Sequence, residues 1–215
     1  MSRDALRNTL IESRITAIIR LDDLSSFEPL AQTLLDAGIR CMEFTLTNRD
    51  ALKAVTQLRK NNRTFDSGEA LVGIGSVRTR DDAQMAIDAG AQLLVSPTVV
   101  MDMIELANQH DILCAPGAYT PTEIDTAWQA GADVVKVFPA TALGPSYMKA
   151  VLAPLPDVRL MPTGGINLAN MSDYLNAGCV ALGIGSNLVS PMLIQDRDWE
   201  GLRELAEHYV AAAQR

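Results

Sequence analysis

Four times along the chain a helix-like stretch closes on a polar residue, an alanine and a glycine, and an apolar run follows. The sites are Asp36-Ala37-Gly38, Asp88-Ala89-Gly90, Gln129-Ala130-Gly131 and Asn176-Ala177-Gly178. A glycine at that place is what a left-handed helix C-cap calls for. Taken singly each is an ordinary helix stop, but the four sit in a larger pattern of apolar runs at residues 15–20, 41–46, 70–76, 92–97, 112–116, 134–139, 159–163 and 180–185. They precede the second, fourth, sixth and eighth runs only. Short, nearly continuous apolar runs separated by amphipathic helices predict parallel strands covered on both faces. Eight such units within 215 residues close into a small (β/α)8 TIM barrel. Residues 1–14 are expected to form an extra N-terminal helix closing the barrel bottom, and residues 199–213 the last helix. An open doubly wound sheet is the competing fold, but no G-x-G-x-x-G turn follows the first run. No linker or shift of composition divides the chain, so one domain over 1–215 is expected.

Counting five residues on from each of the four glycines reaches Glu43, Val95, Lys136 and Gly183. Alternate strands of a barrel share interior layers. Glu43 and Lys136, two charged residues inside apolar strands, should therefore lie in one layer and face each other across the barrel.

Composition narrows the partners. With 48% hydrophobic and 20% charged side chains the chain is globular, and a net charge of -8 argues against nucleic acid, which is bound by clustered Lys and Arg. No stretch approaches the roughly 20 apolar residues of a membrane span. The N-terminus lacks the apolar run and cleavage site of a secretory signal, so a cytoplasmic location is expected and no membrane partner. Cys41, Cys114 and Cys179 are odd in number and sit at or in apolar runs, which reads as buried thiols in a reducing compartment. His110 and His208 are the only histidines and nothing pairs them at ligand spacing, so no metal site is expected.

Lys136, flanked by Val134, Val135, Val137 and Phe138, is the strongest chemical signal. Burial disfavours the charged form of an amine, and a neutral amine is the nucleophile that attacks a ketone. The plain alternative is a lysine reaching out from a strand end. Glu43 is either a buried ion-pair partner for it or a general acid and base. Gly164 and Gly165 follow the seventh run, and Gly185 and Ser186 the eighth. Glycines let backbone N–H groups approach an oxyanion, and the loops after strands seven and eight are the recurrent phosphate site of this fold. Tight turns also want glycine, so each loop alone says little. Ser76 ends the third run and could donate to a carboxylate, and Arg20 ends the first and could clamp one in a fork. Simple turn chemistry and a surface charge remain open for these two.

Together these pieces resemble the family of 2-dehydro-3-deoxy-6-phosphogluconate and 4-hydroxy-2-oxoglutarate aldolases (KDPG and KHG aldolases), which includes the 6-phosphogalactonate aldolases. The resemblance runs from residue 15 to residue 189. It is carried by Val135-Lys136-Val137-Phe138-Pro139-Ala140, by the stretch 143–150 (LGPSYMKA) and by Pro162-Thr163-Gly164-Gly165-Ile166-Asn167. It implies that Lys136 forms the Schiff base and Glu43 is the general acid/base. It also implies that Ser76, Pro97 and Phe138 line the pyruvate pocket, that Thr163 lies beside the reacting carbon chain, and that Gly164, Gly165, Gly185 and Ser186 hold the phosphate. A homotrimer with no cofactor is implied as well. The chain departs from many members in having Thr47 four residues after the glutamate, where they carry arginine, and Gly73-Ile74-Gly75-Ser76 where they carry G-A-G-T. Similar members pair that threonine with an arginine ending strand one, so the carboxylate-binding role falls to Arg20, with Arg49 as the substitute.

The expected reaction is retro-aldol cleavage of 2-dehydro-3-deoxy-6-phosphogluconate to pyruvate and glyceraldehyde 3-phosphate, with 4-hydroxy-2-oxoglutarate as a further substrate. The galactonate epimer differs by one hydroxyl configuration. A phosphate-binding barrel isomerase or epimerase would use the same loops without an imine, and a sugar-phosphate sensor would bind without turnover.

Overall fold

The protein is described by a computed structural model over residues 2–214, so Met1 and Arg215, the ends of the expected domain, lie outside the described residues. It opens with helix α1 (Arg3–Ser13), followed by β1 (Ile15–Ile19), α2 (Phe27–Asp36), β2 (Cys41–Thr45), α3 (Asp50–Asn61), α4 (Arg63–Ser67) and β3 (Leu71–Gly75). Next come α5 (Arg80–Asp88), β4 (Leu93–Val95), α6 (Met101–Gln109), β5 (Leu113–Ala115), β6 (Gly117–Ala118), α7 (Pro121–Gln129) and β7 (Val135–Val137). The chain finishes with α8 (Gly144–Leu152), β8 (Leu160–Pro162), α9 (Met171–Asn176), β9 (Leu182–Ile184), α10 (Pro191–Gln195) and α11 (Trp199–Ala213).

The four glycine stops are built alike. Gly38, Gly90, Gly131 and Gly178 have φ of +97°, +85°, +98° and +100°, a region that costs an L-residue about 1–2 kcal/mol. Each glycine N–H donates to the carbonyl three residues back, at 3.0, 2.9, 3.0 and 3.0 Å. The next N–H reaches the carbonyl five back, as in Ile39 to Leu34 at 2.9 Å and Cys179 to Tyr174 at 3.2 Å. These are Schellman caps, and they turn each chain directly into its strand.

All strand pairings are parallel, in the order β5-β4-β3-β2-β1-β9 and, separately, β6-β7-β8. A bridge between Thr163 and Gly183 joins β8 to β9. On the other side, β5 and β6 are two parts of one stave parted by Pro116, which has no N–H for the ladder. The fifth expected run stopped at that proline; the stave in fact continues to Ala118. Eight staves thus close the expected barrel.

Two apolar clusters divide its interior from its coat. Leu6 and Leu10 of α1 pack with Cys41, Leu71, Leu93, Val95, Leu113, Val134 and Met161, so α1 plugs the bottom of the barrel. Met42 and Phe44, Val135 and Val137, and Leu182 and Ile184 instead belong to the larger cluster between staves and helices. Strand side chains alternate between faces. Glu43, Lys136 and Gly183 therefore point inward, as Val95 does, and the five-residue offset lands on an inward position in all four.

Candidate active site

Lys136 is only 4% exposed although its stave neighbours are apolar, and its Nζ lies 5.1 Å from the centroid of the Phe138 ring. That contact places the amine against an aromatic wall rather than in water. Glu43 is 1% exposed, and its Oε2 is buried with no hydrogen-bond partner. Among the described residues neither side chain takes part in an ion pair. The buried ion-pair reading of Glu43 therefore fails. A buried carboxylate oxygen left without a partner is costly and calls for an explanation beyond packing.

The glycine loops converge on one cavity of about 240 Å³, lined by Arg20, Phe138, Thr163, Gly164, Gly165, Gly185, Ser186 and Asn187 among others. Gly164 and Gly165 have φ of +99° and +75°, so their backbone conformation itself selects glycine. Asn187 donates from Nδ2 to the Ile166 carbonyl at 2.8 Å, and Asn170 from Nδ2 to the Gly165 carbonyl at 2.9 Å. Asn187 thereby straps the loop after β9 to the loop after β8. Neither asparagine stood out in the sequence, because a polar residue in a loop carries no signal until its partner is known. Thr163 is buried and donates to the Met161 carbonyl at 3.4 Å.

Ser76 lies on another side. It lines a cavity of about 540 Å³ with Thr47, Arg49, Arg78 and Asp82, and its φ of +61° is a strained value for a non-glycine residue. The Thr47 hydroxyl is bonded to that of Thr45 at 2.7 Å, and Arg49 pairs with Asp82 at 3.0 Å. Pro97 is half-buried just beyond β4. Arg20 is exposed, without an ion-pair partner among the described residues, and borders the glycine loops. Arg20 thus shares its cavity with Phe138 and Thr163 as well as with the glycine loops, while Ser76 lines the other one, and β1 is paired with β9 as well as with β2.

A parallel eight-stave barrel with an inward buried lysine and a free carboxylate defines a class I lyase of the Schiff-base type. The chain belongs to the KDPG and KHG aldolase family, whose model matches residues 6–205. It is 33% identical to the 2-dehydro-3-deoxy-phosphogluconate aldolase of Haemophilus influenzae over 94% of this chain and 93% of that one. It is 31% identical to the 2-dehydro-3-deoxy-6-phosphogalactonate aldolase of Escherichia coli over 82% and 86% of the two chains. The KDPG aldolase of Legionella pneumophila, solved with pyruvate captured as a covalent carbinolamine, superposes with a TM-score of 0.84 at 30% identity, over 94% of this chain and 96% of that one. Among the described residues no helix is long and apolar enough to cross a membrane.

Proposed function

We propose that this protein cleaves 2-dehydro-3-deoxy-6-phosphogluconate to pyruvate and glyceraldehyde 3-phosphate. The observation that carries the reading is the Lys136 amine, inward, buried and, among the described residues, outside any ion pair, in a barrel that also holds the similarly unpaired Glu43 carboxylate. A neutral Lys136 attacks the C2 ketone, and loss of water from the carbinolamine gives a protonated imine. Glu43, through a water, takes the C4 hydroxyl proton. The C3–C4 bond breaks, its electrons pass into the imine to give an enamine, and the aldehyde leaves. Glu43 returns the proton to the enamine at C3, and hydrolysis of the imine releases pyruvate and restores the amine.

Ser76, Pro97, Phe138 and Thr163 are assigned to the pyruvate half of the substrate, and Gly164, Gly165, Gly185 and Ser186 to its phosphate. The cavity that Arg20 shares with those glycines supports giving it the phosphate in place of the carboxylate; Arg49 and Arg78 supply the cations on the Ser76 side. The likeness to the Escherichia coli galactonate enzyme supports a second reading, cleavage of the C4 epimer. The assembly proposed is a homotrimer, in the cytoplasm.

A coupled assay offering both epimeric phosphates and unphosphorylated 4-hydroxy-2-oxoglutarate tests the assignment. The gluconate compound should show the highest kcat/KM. Preference for the galactonate epimer by tenfold or more, about 1.4 kcal/mol of discrimination, would transfer the assignment to it.

A further inference from the structure

We propose that Gly75 is a positioning residue: its missing side chain forms the seat on which the Glu43 carboxylate rests. The inference rests on reading Glu43 as the group that moves protons. On the paired strands β2 and β3, Glu43 stands opposite Gly73 and Thr45 opposite Gly75. The Glu43 side chain climbs one pleat toward the open end of the barrel and lies over Gly75. A Cβ at that glycine would fall 1.7 Å from Glu43 Oε1, 2.3 Å from Cδ and 2.6 Å from Cγ. All three nearest atoms belong to Glu43.

Nothing else at this position asks for glycine. Its φ is not positive, unlike that of Gly164 or Gly165, so the left-handed backbone that selects glycine is not what is asked for here. A strand interior ordinarily favours a branched or aromatic side chain. Among the described residues none donates a hydrogen bond to the Glu43 carboxylate, and Oε2 is buried without a partner. The surface beneath it therefore does the orienting that donors do elsewhere. The device occurs a second time at Gly183, whose Cβ would lie 2.2 Å from Thr163 Oγ1. Gly73 and Gly117 differ, because a Cβ there would first strike backbone, the Leu93 oxygen at 2.4 Å and the Pro97 carbon at 2.3 Å. Two inward glycines thus make room for chain, and two make room for side chains assigned to the reaction. A general base must stand within hydrogen-bond reach of its proton, so moving the seat by a methyl group moves the chemistry.

The experiment follows exchange of the pyruvate methyl protons in heavy water by NMR, beside borohydride trapping of the pyruvate imine by mass spectrometry, on folded protein. Exchange needs imine and base; trapping needs the imine alone. Gly75→Ala should trap pyruvate as wild type does and lose exchange by about a hundredfold in kcat, with KM for pyruvate little changed. The double variant Gly75→Ala/Glu43→Ala should fold and trap pyruvate as Glu43→Ala does, because the Glu43 Cγ, Cδ and Oε1 that the new methyl group would meet are then gone. Should Gly75→Ala not fold, the double variant should fold and still match Glu43→Ala in stability and trapping. Exchange by Gly75→Ala near the wild-type rate overturns the seat. So does failure to fold, or a large loss of stability, in the double variant relative to Glu43→Ala. Absence of trapping in wild type would instead show that the aldolase reading itself has failed.

Discussion

Glu43 and Lys136 stand on the second and sixth staves of an eight-stave barrel, both inward and both buried, and no ion pair joins them. Had Lys136 neutralised Glu43, removing it would strand a buried charge at a cost of about 3–5 kcal/mol. Without that pairing, Lys136→Met should change unfolding free energy by no more than about 1 kcal/mol while abolishing turnover. Denaturant titration beside a progress curve checks both halves. Residual activity within about tenfold of wild type would remove the amine from the mechanism.

Arg20→Ala should raise KM for the phosphorylated aldehyde in the condensation direction more than KM for pyruvate, since Arg20 borders the glycine loops. A charge-assisted hydrogen bond contributes about 1.5–3 kcal/mol, an effect on the order of ten- to a hundredfold. A defect confined to pyruvate would return Arg20 to the carboxylate, and the same defect in Arg49→Ala alone would put the carboxylate beside Ser76.

The barrel was legible because its signals are local. Each glycine cap needs only its own helix, and each strand only its apolar run. The caps before odd strands were harder to see, since Arg14 and Asp111 take φ of +55° and +56° without being glycine. Lys136 and Glu43 stood out because a charge in an apolar strand violates the local pattern. That Arg20 shares a cavity with the glycine loops did not follow from sequence, because which cavity a stave end opens into depends on the neighbouring staves. What surrounds Gly75 and Asn187 did not follow for the same reason: one meets a side chain on the next strand, the other a carbonyl on the next loop.

The floor of the barrel depends on Asp133, which is 3% exposed and accepts from Arg3 Nε at 3.0 Å, from a second Arg3 nitrogen at 2.7 Å, from Arg7 at 3.3 Å and from the Cys114 N–H at 2.9 Å. Asp133→Ala leaves these donors unmatched and should cost about 3–5 kcal/mol by denaturant unfolding. Arg7→Ala, which leaves Arg3 in place, should cost about 1 kcal/mol or less. Equal losses in the two variants would contradict the division of work between these arginines.

Burial pushes the thiols of Cys41, Cys114 and Cys179 up to about 12. The thiolate is the reactive form, so at pH 8 the folded protein should resist a soluble disulfide reagent at all three. Unfolding in denaturant should release them together. Rapid labelling of any one in the native state would show that its burial is not maintained in solution.

The electron sink in this account is the imine on Lys136, which needs no divalent ion, so incubation with EDTA should leave turnover unchanged. Loss of activity restored by a divalent cation would assign the sink to a metal.

The most direct measurement is peptide mapping after incubation with pyruvate and borohydride. The account predicts that the peptide carrying Lys136 gains the mass of a reduced pyruvate adduct and that no other lysine does. An unmodified Lys136 peptide, with turnover intact in the same preparation, would contradict it.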